Sequence, residues 1–312
     1  MPIALRTALA VPACGLISAG LVWAVKTDSL VRLLMLGLAP LPLFACGLSV
    51  GLLACVAAGL TGSVLVTLTM GTTPGAIYLA AAAVPTAVLV RQALRVEWKP
   101  DGTRVWHGGG NLLLWLAGLG VAGVLSVVAY TALYQGGLVS AIHERLHVEP
   151  AAAAMMARIA PGLIVSLWMT AVVADGAVAE WLLGLTGLAL RPPIDIGRLI
   201  LPQSIGLVLM VAGLAGAILR EGTAGIIFLN SAIVLVVPFA FVGLATIHVV
   251  AGRRPWGAWA IAGAYVVLLA SPALFGWPTL LMFALLLAGL GSLDQVLDFR
   301  GLKKPRTEMR RK

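Results

Sequence analysis

One stretch of this sequence spells a familiar piece of chemistry. His143-Glu144-Arg145-Leu146-His147 matches H-E-x-x-H. On a helix this pattern brings two imidazoles to one face for zinc and leaves the glutamate as general base. Two features argue against a working site. Arg145 would set a cation beside a dication, which is unfavourable. A third ligand is also missing at a suitable spacing, because Glu149 is too close and Asp175 and Glu180 belong to the next hydrophobic segment. The reading adopted is a surface amphipathic helix that happens to carry the letters of the motif. No catalytic residue, metal or cofactor is expected, and a membrane zinc metalloprotease built on His143, Glu144 and His147 is kept as an alternative.

Asp175 and Glu180 are a different kind of candidate. They interrupt an apolar run of nearly thirty residues. An acid at the centre of a bilayer costs about 2.5–3.5 kcal/mol to insert and usually faces a polar cavity or a partner. Either these two line a solute path with Asn230, or Asp175-Gly176 marks a water-exposed break between two short halves. Asn230 and Gln203 could likewise line a path or simply hydrogen-bond between helices. A third group sits at helix ends: Arg91, His248, Asp294, Asp298 and Arg300. Asp294 and Asp298 are four apart and share one helical face. These five are expected to gather at the cytoplasmic membrane face, as an interfacial belt of salt bridges.

The elements that must carry these residues are set by composition. Of 312 residues 61% are hydrophobic and 11% are charged, against roughly a quarter charged in soluble domains. A soluble chain of this length could not hide so much apolar surface. Spans of about 20 apolar residues suit a bilayer, and candidates run over 8–25, 31–49, 51–70, 74–94, 111–135, 162–189, 199–219, 224–251, 257–274 and 277–297. The expected fold is therefore all-α, a polytopic transmembrane bundle of nine or ten helices. One such domain fills residues 1–299, and residues 300–312 form a basic cytoplasmic tail. Ala39-Pro40-Leu41-Pro42 breaks the early apolar run, since proline removes a donor and kinks a helix. Either a half-helix ends there and one long helix follows, or two helices meet in a turn near Ser49. Residues 95–110 read as a loop, 138–159 as an amphipathic segment on the outer surface, and 191–198 as a short stiff connector.

Seven basic residues against Glu308 alone give the last 13 residues +6 of the net +9. A basic cluster beside a membrane helix marks the cytoplasmic side and attracts anionic lipid headgroups. With the tail inside, Arg253-Arg254, Arg191 to Arg198, and Arg91, Arg95, Lys99 and Arg104 fall on the same side. Nothing accompanies the basic run to suggest a nucleic-acid module. The expected location is a bacterial inner membrane, multi-pass. Cys14, Cys46 and Cys55 lie in apolar segments without metal spacing and read as small buried hydrophobes. Gly15 with Ala19, Gly20 with Ala24 and Gly47 with Gly51 have the small-xxx-small spacing that lets helices approach closely. That suits packing within the bundle, or docking to a membrane-protein partner or a second copy.

Several stretches resemble the YybS-like family of predicted bacterial membrane proteins, in its alphaproteobacterial form. They are Leu38-Ala39-Pro40-Leu41-Pro42-Leu43-Phe44 with Gly47 and Gly51, Glu97-Trp98-Lys99-Pro100-Asp101-Gly102, Gly243 to His248, and Gly291 to Arg300. The likeness spans nearly the whole chain. The family has no assigned function, so the resemblance implies an architecture rather than a chemistry. More distantly, the hydrophobic layout is similar to the substrate-binding membrane subunits of vitamin transporters. There an early proline-containing segment helps to shape a solute pocket, and Pro40 and Pro42 would take that part. The expectation is a non-enzymatic membrane protein that handles a small solute, with a scaffold for partner proteins as the alternative.

Overall fold

The computed structural model describes residues 3–23, 30–98, 100–133, 137–220, 222–275 and 278–302. The basic residues from Lys303 onward, Lys99 and Glu221 lie outside them, so the tail and those loop charges carry no structural statement here. Along the chain the helices are α1 (Ile3–Trp23), α2 (Leu30–Gly37), α3 (Pro40–Val50), α4 (Leu52–Met70), α5 (Thr72–Tyr78) and α6 (Val84–Ala93). A π-helical turn, Leu79–Ala83, joins α5 to α6. A hairpin of β1 (Val96–Trp98) and β2 (Arg104–Trp106) follows, then α7 (Gly109–Leu133), α8 (Gly137–Leu146) and α9 (Pro150–Thr186). After a 3₁₀ turn at Ile196–Arg198 come α10 (Gln203–Ile218), α11 (Gly222–Gly252), α12 (Gly257–Phe275) and α13 (Pro278–Leu297).

Helix accounts for 83% of the described residues, so the all-α class stands. Among the described residues, six helical stretches are long and apolar enough to cross a membrane: Leu52–Met70, Thr72–Ala93, Gly109–Thr131, Pro150–Thr186, Gly222–Gly252 and Thr279–Leu297. Shorter apolar helices lie at Thr7–Trp23, Leu34–Val50, Gln203–Ile218 and Gly257–Val267. These ten positions follow the apolar segments marked out by the sequence.

Helix α4 shows what kind of solvent these helices are built for. Its buried residues are Ala54, Cys55, Ala58, Gly59, Gly62 and Val66, while Leu53 is 86% exposed and Leu68 77% exposed. A water-soluble helix does the reverse and buries its large side chains. Where lipid is as apolar as leucine, association rests on close packing, and small residues supply it.

The residues divide into two compact units, Met1–Leu116 with Leu167–Ile194, and Ala117–Ser166 with Asp195–Lys312. In the first, the early apolar run breaks twice, so two helices do meet in a turn near Ser49, and no single long helix follows the prolines. Helix α2 ends before the prolines. Pro40 and Pro42 then sit in the first turn of α3 and are buried, where a missing N–H costs nothing. A second break follows at Gly51, next to Ser49. Gly51 has φ +123°, and Gly71, between α4 and α5, has φ +105°. This backbone suits glycine, and it lets one residue end one helix and start the next. Gly15 packs against α4, where an added methyl would stand 2.7 Å from the Ala58 carbonyl oxygen, and Gly47 meets Val90. Gly20 has nothing within 4 Å of such a methyl, so its small size serves no contact in this unit. Cys46 and Cys55 are buried and Cys14 is half-buried.

Residues 95–110, expected as a loop, contain the hairpin. Val96 pairs with Trp106 and Trp98 with Arg104. The Arg104 guanidinium lies 5.3 Å from the Trp98 ring and 5.9 Å from Trp106, and His107 Nε2 meets Glu97 Oε1 at 2.9 Å. These contacts give the strands a reason to pair that hydrophobic periodicity does not reveal.

In the second unit α11 and α13 touch backbone to backbone. A methyl at Gly243 would overlap the Leu287 carbonyl, and one at Gly291 would overlap that of Phe239. The expected surface segment 138–159 is not one element. Helix α8 stops at Leu146, and Pro150 begins the 37-residue α9, which carries Pro161 in its interior. At about 1.5 Å per residue α9 is about 55 Å long, well beyond the roughly 30 Å hydrocarbon core of a bilayer.

Candidate functional site

Helix α9 carries both acids of this apolar run, and they have different surroundings. Glu180 is fully engaged. Arg191, from the connector, donates to Glu180 Oε1 through Nε (2.9 Å) and Nη2 (2.6 Å), and the Ile194 amide donates to Oε2 at 3.2 Å. The remaining arm of Arg191, Nη1, donates to the Ala93 carbonyl at 3.2 Å. Side-chain exposure is 4% for Arg191 and 14% for Glu180. Two charges survive such burial because each satisfies the other's hydrogen-bonding groups. The pair ties the Arg191–Ile194 stretch to the ends of α6 and α9, so Glu180 is a fastening and not a free solute ligand.

Asp175 is the opposite case. It is 2% exposed, and its Oδ2 has no hydrogen-bond partner. A methyl built on the neighbouring Gly176 would stand 3.7 Å from the Phe44 ring, which puts this part of α9 against α3. Two more buried oxygens of the same unit lack partners: Thr86 Oγ1 and Gln92 Oε1, both on α6. Thr86 is fully buried and Gln92 nearly so. Neither was singled out from the sequence, where a lone Thr or Gln in an apolar helix carries no signal.

Prolines leave gaps in helices, and side chains from elsewhere fill them. Pro85 cannot donate to the Ala81 carbonyl, its i−4 partner in a helix. The Trp168 indole N–H donates to that carbonyl instead, at 2.8 Å. In the second unit, Pro161 lies inside α9 and gives no N–H to its ladder, and the next rung would be Gly162 N–H to Arg158 C=O. Asn230 spans that rung. Its Oδ1 accepts from Gly162 N at 2.6 Å and its Nδ2 donates to Arg158 O at 2.9 Å, with a further bond to Ile226 O at 2.7 Å. A carboxamide has one acceptor and one donor side, like a peptide unit, so it fits into a broken ladder. Asn230 is fully buried and its hydrogen bonds are spent on this stitch.

The helix-end residues resolve into a clasp and some bystanders. The chain reverses at Asp298, a non-glycine residue with φ +53°, and lays Arg300 back against Asp294. Arg300 Nε and Nη2 each approach Asp294 Oδ2 at 2.7 Å, and the Arg300 amide donates to Oδ1 at 3.2 Å. Its other donors reach the carbonyls of Gly197 (3.2 Å) and Leu199 (2.7 Å). Arg300, counted from the sequence with the tail, is thus a buried tie between the end of α13 and the 3₁₀ turn. Arg253 donates to the Arg300 carbonyl at 2.8 Å. His248 is separate: Nδ1 bonds the Leu244 carbonyl at 2.8 Å, and the ring centroid lies 5.8 Å from that of Tyr265. Arg91 belongs to the first unit, exposed on α6.

Helix α8 carries only part of the H-E-x-x-H letters. His147 falls beyond its end with φ +54°, and His143 Nδ1 bonds the Val148 carbonyl at 2.6 Å. The motif is therefore not carried whole on one helix. Among the described residues no three His, Cys, Asp or Glu side chains converge as metal ligands would. Comparison of the chain with known protein families, with curated proteins and with solved structures finds no match.

Proposed function

We propose that this chain is a multi-pass protein of a bacterial inner membrane, with its C-terminus cytoplasmic, that binds and moves a small solute. It would act alone or as the substrate-binding subunit of a larger transporter, with Asp175 as its working acid. One observation carries the reading. The polar residues Glu180, Asn230, Asp294 and Arg300 have hydrogen-bond partners inside the fold, and the buried Asp175 keeps an oxygen without one. A buried carboxyl left unpaired is expensive, and within a membrane such groups mark ion and solute paths. The resemblance to the YybS-like family, and the more distant one to vitamin-transporter subunits, fit a protein of nine or ten spans in this role. Pro40 and Pro42 fit it through the break they make in the early helix. The end of α8 before His147, and the bond of His143 Nδ1 to the Val148 carbonyl, speak against the metalloprotease alternative.

The test is electrical. The protein is reconstituted into proteoliposomes on a solid support and challenged with small cations, amines and heterocyclic vitamins. A transient current with one class, lost in Asp175→Asn at unchanged protein incorporation, supports transport. Silence with every class, together with a stable membrane-protein partner retained in mild detergent, replaces it with the scaffold reading.

A further inference from the structure

The register of three helices places the unpartnered oxygens of the first unit near one another. Trp168 of α9 reaches the carbonyl of residue 81, and Glu180 of α9 shares Arg191 with the carbonyl of residue 93. Residue numbers rise together on both sides, so α9 and the Thr72–Ala93 stretch run parallel. Asp175 then falls level with residues 87 and 88. A second route gives the same depth. Gly176 faces Phe44, and Gly47, one turn along α3, faces Val90. Helix α9 also meets Gly37 at Ala171, so it ascends with α2 and α3 as well. Both routes set Asp175 at the depth of Thr86 to within one helical turn, and Gln92 stands further along, toward the Glu180–Arg191 pair.

Three buried oxygens without partners lie on these two helices: Asp175 Oδ2, Thr86 Oγ1 and Gln92 Oε1. As a carboxylate, Asp175 would hold a charge on a buried oxygen that meets no donor. A proton on Oδ2 removes the charge and turns the group into an O–H donor, which Thr86 Oγ1 can accept. We infer that Asp175 is a proton-binding site, with Thr86, level with it on α6, as the hydroxyl toward which a proton on Oδ2 would turn. This deepens the reading of Asp175 given above by naming the coupled species. Release breaks the O–H bond, leaves the electron pair on Oδ2 and passes the proton to water; nothing is oxidised or reduced. The other ionisable groups on the elements packed here are Cys46 on α3, Arg32 on α2, Tyr78 on α5, Arg91 on α6 and the Glu180–Arg191 pair. Tyr78 is bonded to Ser18 and Arg191 to Glu180 and the Ala93 carbonyl, while Asp175 Oδ2 receives a hydrogen bond from none of these groups.

Infrared difference spectroscopy of the full chain in lipid nanodiscs tests this without any transported solute. At neutral pH the wild-type protein should show a protonated-carboxyl band that moves on aspartate carboxyl ¹³C labelling. The band should be lost in Asp175→Asn and shift in frequency at full intensity in Thr86→Val. The labelling arm needs no variant, so a misfolded substitution does not spoil the test. Absence of the band means an ionised Asp175 and overturns the inference. A band lost on adding sodium chloride, but not choline chloride, at fixed pH assigns the site to a metal cation and also overturns it. A band unmoved by Thr86→Val removes Thr86 from the site. Because the spectrum reads occupancy alone, a protonated Asp175 in a protein that gives no current sinks the transport reading and leaves this one intact.

Discussion

Replacing Asn230 by leucine, which keeps much of its volume, should destabilise the protein by about 2–4 kcal/mol. The substitution removes three hydrogen bonds of 2.6, 2.9 and 2.7 Å. It also strands the Gly162 N–H and the Arg158 carbonyl beside Pro161. An orphaned buried group costs about 1–3 kcal/mol, while interhelical hydrogen bonds in membranes have averaged about 0.6 kcal/mol, with a maximum near 1.7. Two orphans put the sum between those limits. Equilibrium unfolding in mixed micelles of increasing dodecyl sulfate measures it, and exchange at the Gly162 amide locates it. The decisive arm is Pro161→Ala. Without the proline, α9 can close the Gly162-to-Arg158 rung itself, so Asn230→Leu should cost clearly less in that background. If the two substitutions are additive, or if Asn230→Leu leaves both stability and Gly162 exchange unchanged, Asn230 does not complete the ladder.

Three further outcomes follow from the packing. Removing one partner of the Glu180–Arg191 pair, by Glu180→Gln or Arg191→Met, should cost about 3–5 kcal/mol, and replacing both together should cost less than either alone in the same unfolding assay. Gly243→Leu should abolish folded protein on size-exclusion chromatography, because its side chain would enter the Leu287 backbone, whereas Gly20→Leu, with open space around it, should elute as wild type. Trp168→Phe should lower stability by about 1 kcal/mol through the unpaired Ala81 carbonyl, and should do so much less when Pro85 is also replaced by alanine.

The apolar segments were legible because lipid sets a length and a composition that survive in the sequence. The breaks were legible only in part. Proline at residues 40 and 42 announces itself, but Gly51 and Gly71 look like any other glycine in a glycine-rich chain until φ is known. The continuity of α9 through Pro161 was hidden for a related reason. A proline reads locally as a stop, and the residue that lets the helix pass it stands 68 positions away. The acids shared the same difficulty. Asp175 and Glu180 look alike in a run of apolar letters, and Arg191, which separates their roles, lies on a connector whose path the sequence leaves open. His143 and His147 read as a helical pair because the four-residue spacing was visible and the helix end at Leu146 was not.

The Asn230 stitch also bears on how the protein is made. Its two ends are 68 residues apart, so at about 5–20 residues per second α9 emerges from the ribosome roughly 3–14 s before the side chain that completes it. During that interval the Gly162 amide and the Arg158 carbonyl need cover from water, lipid headgroups or the insertion machinery. The Gly162 rung of α9 is therefore completed only once Asn230 of α11 has been delivered. Slowed or stalled synthesis between residues 162 and 230 would hold the chain in its most vulnerable form, making that stretch a natural point for quality-control proteases to act.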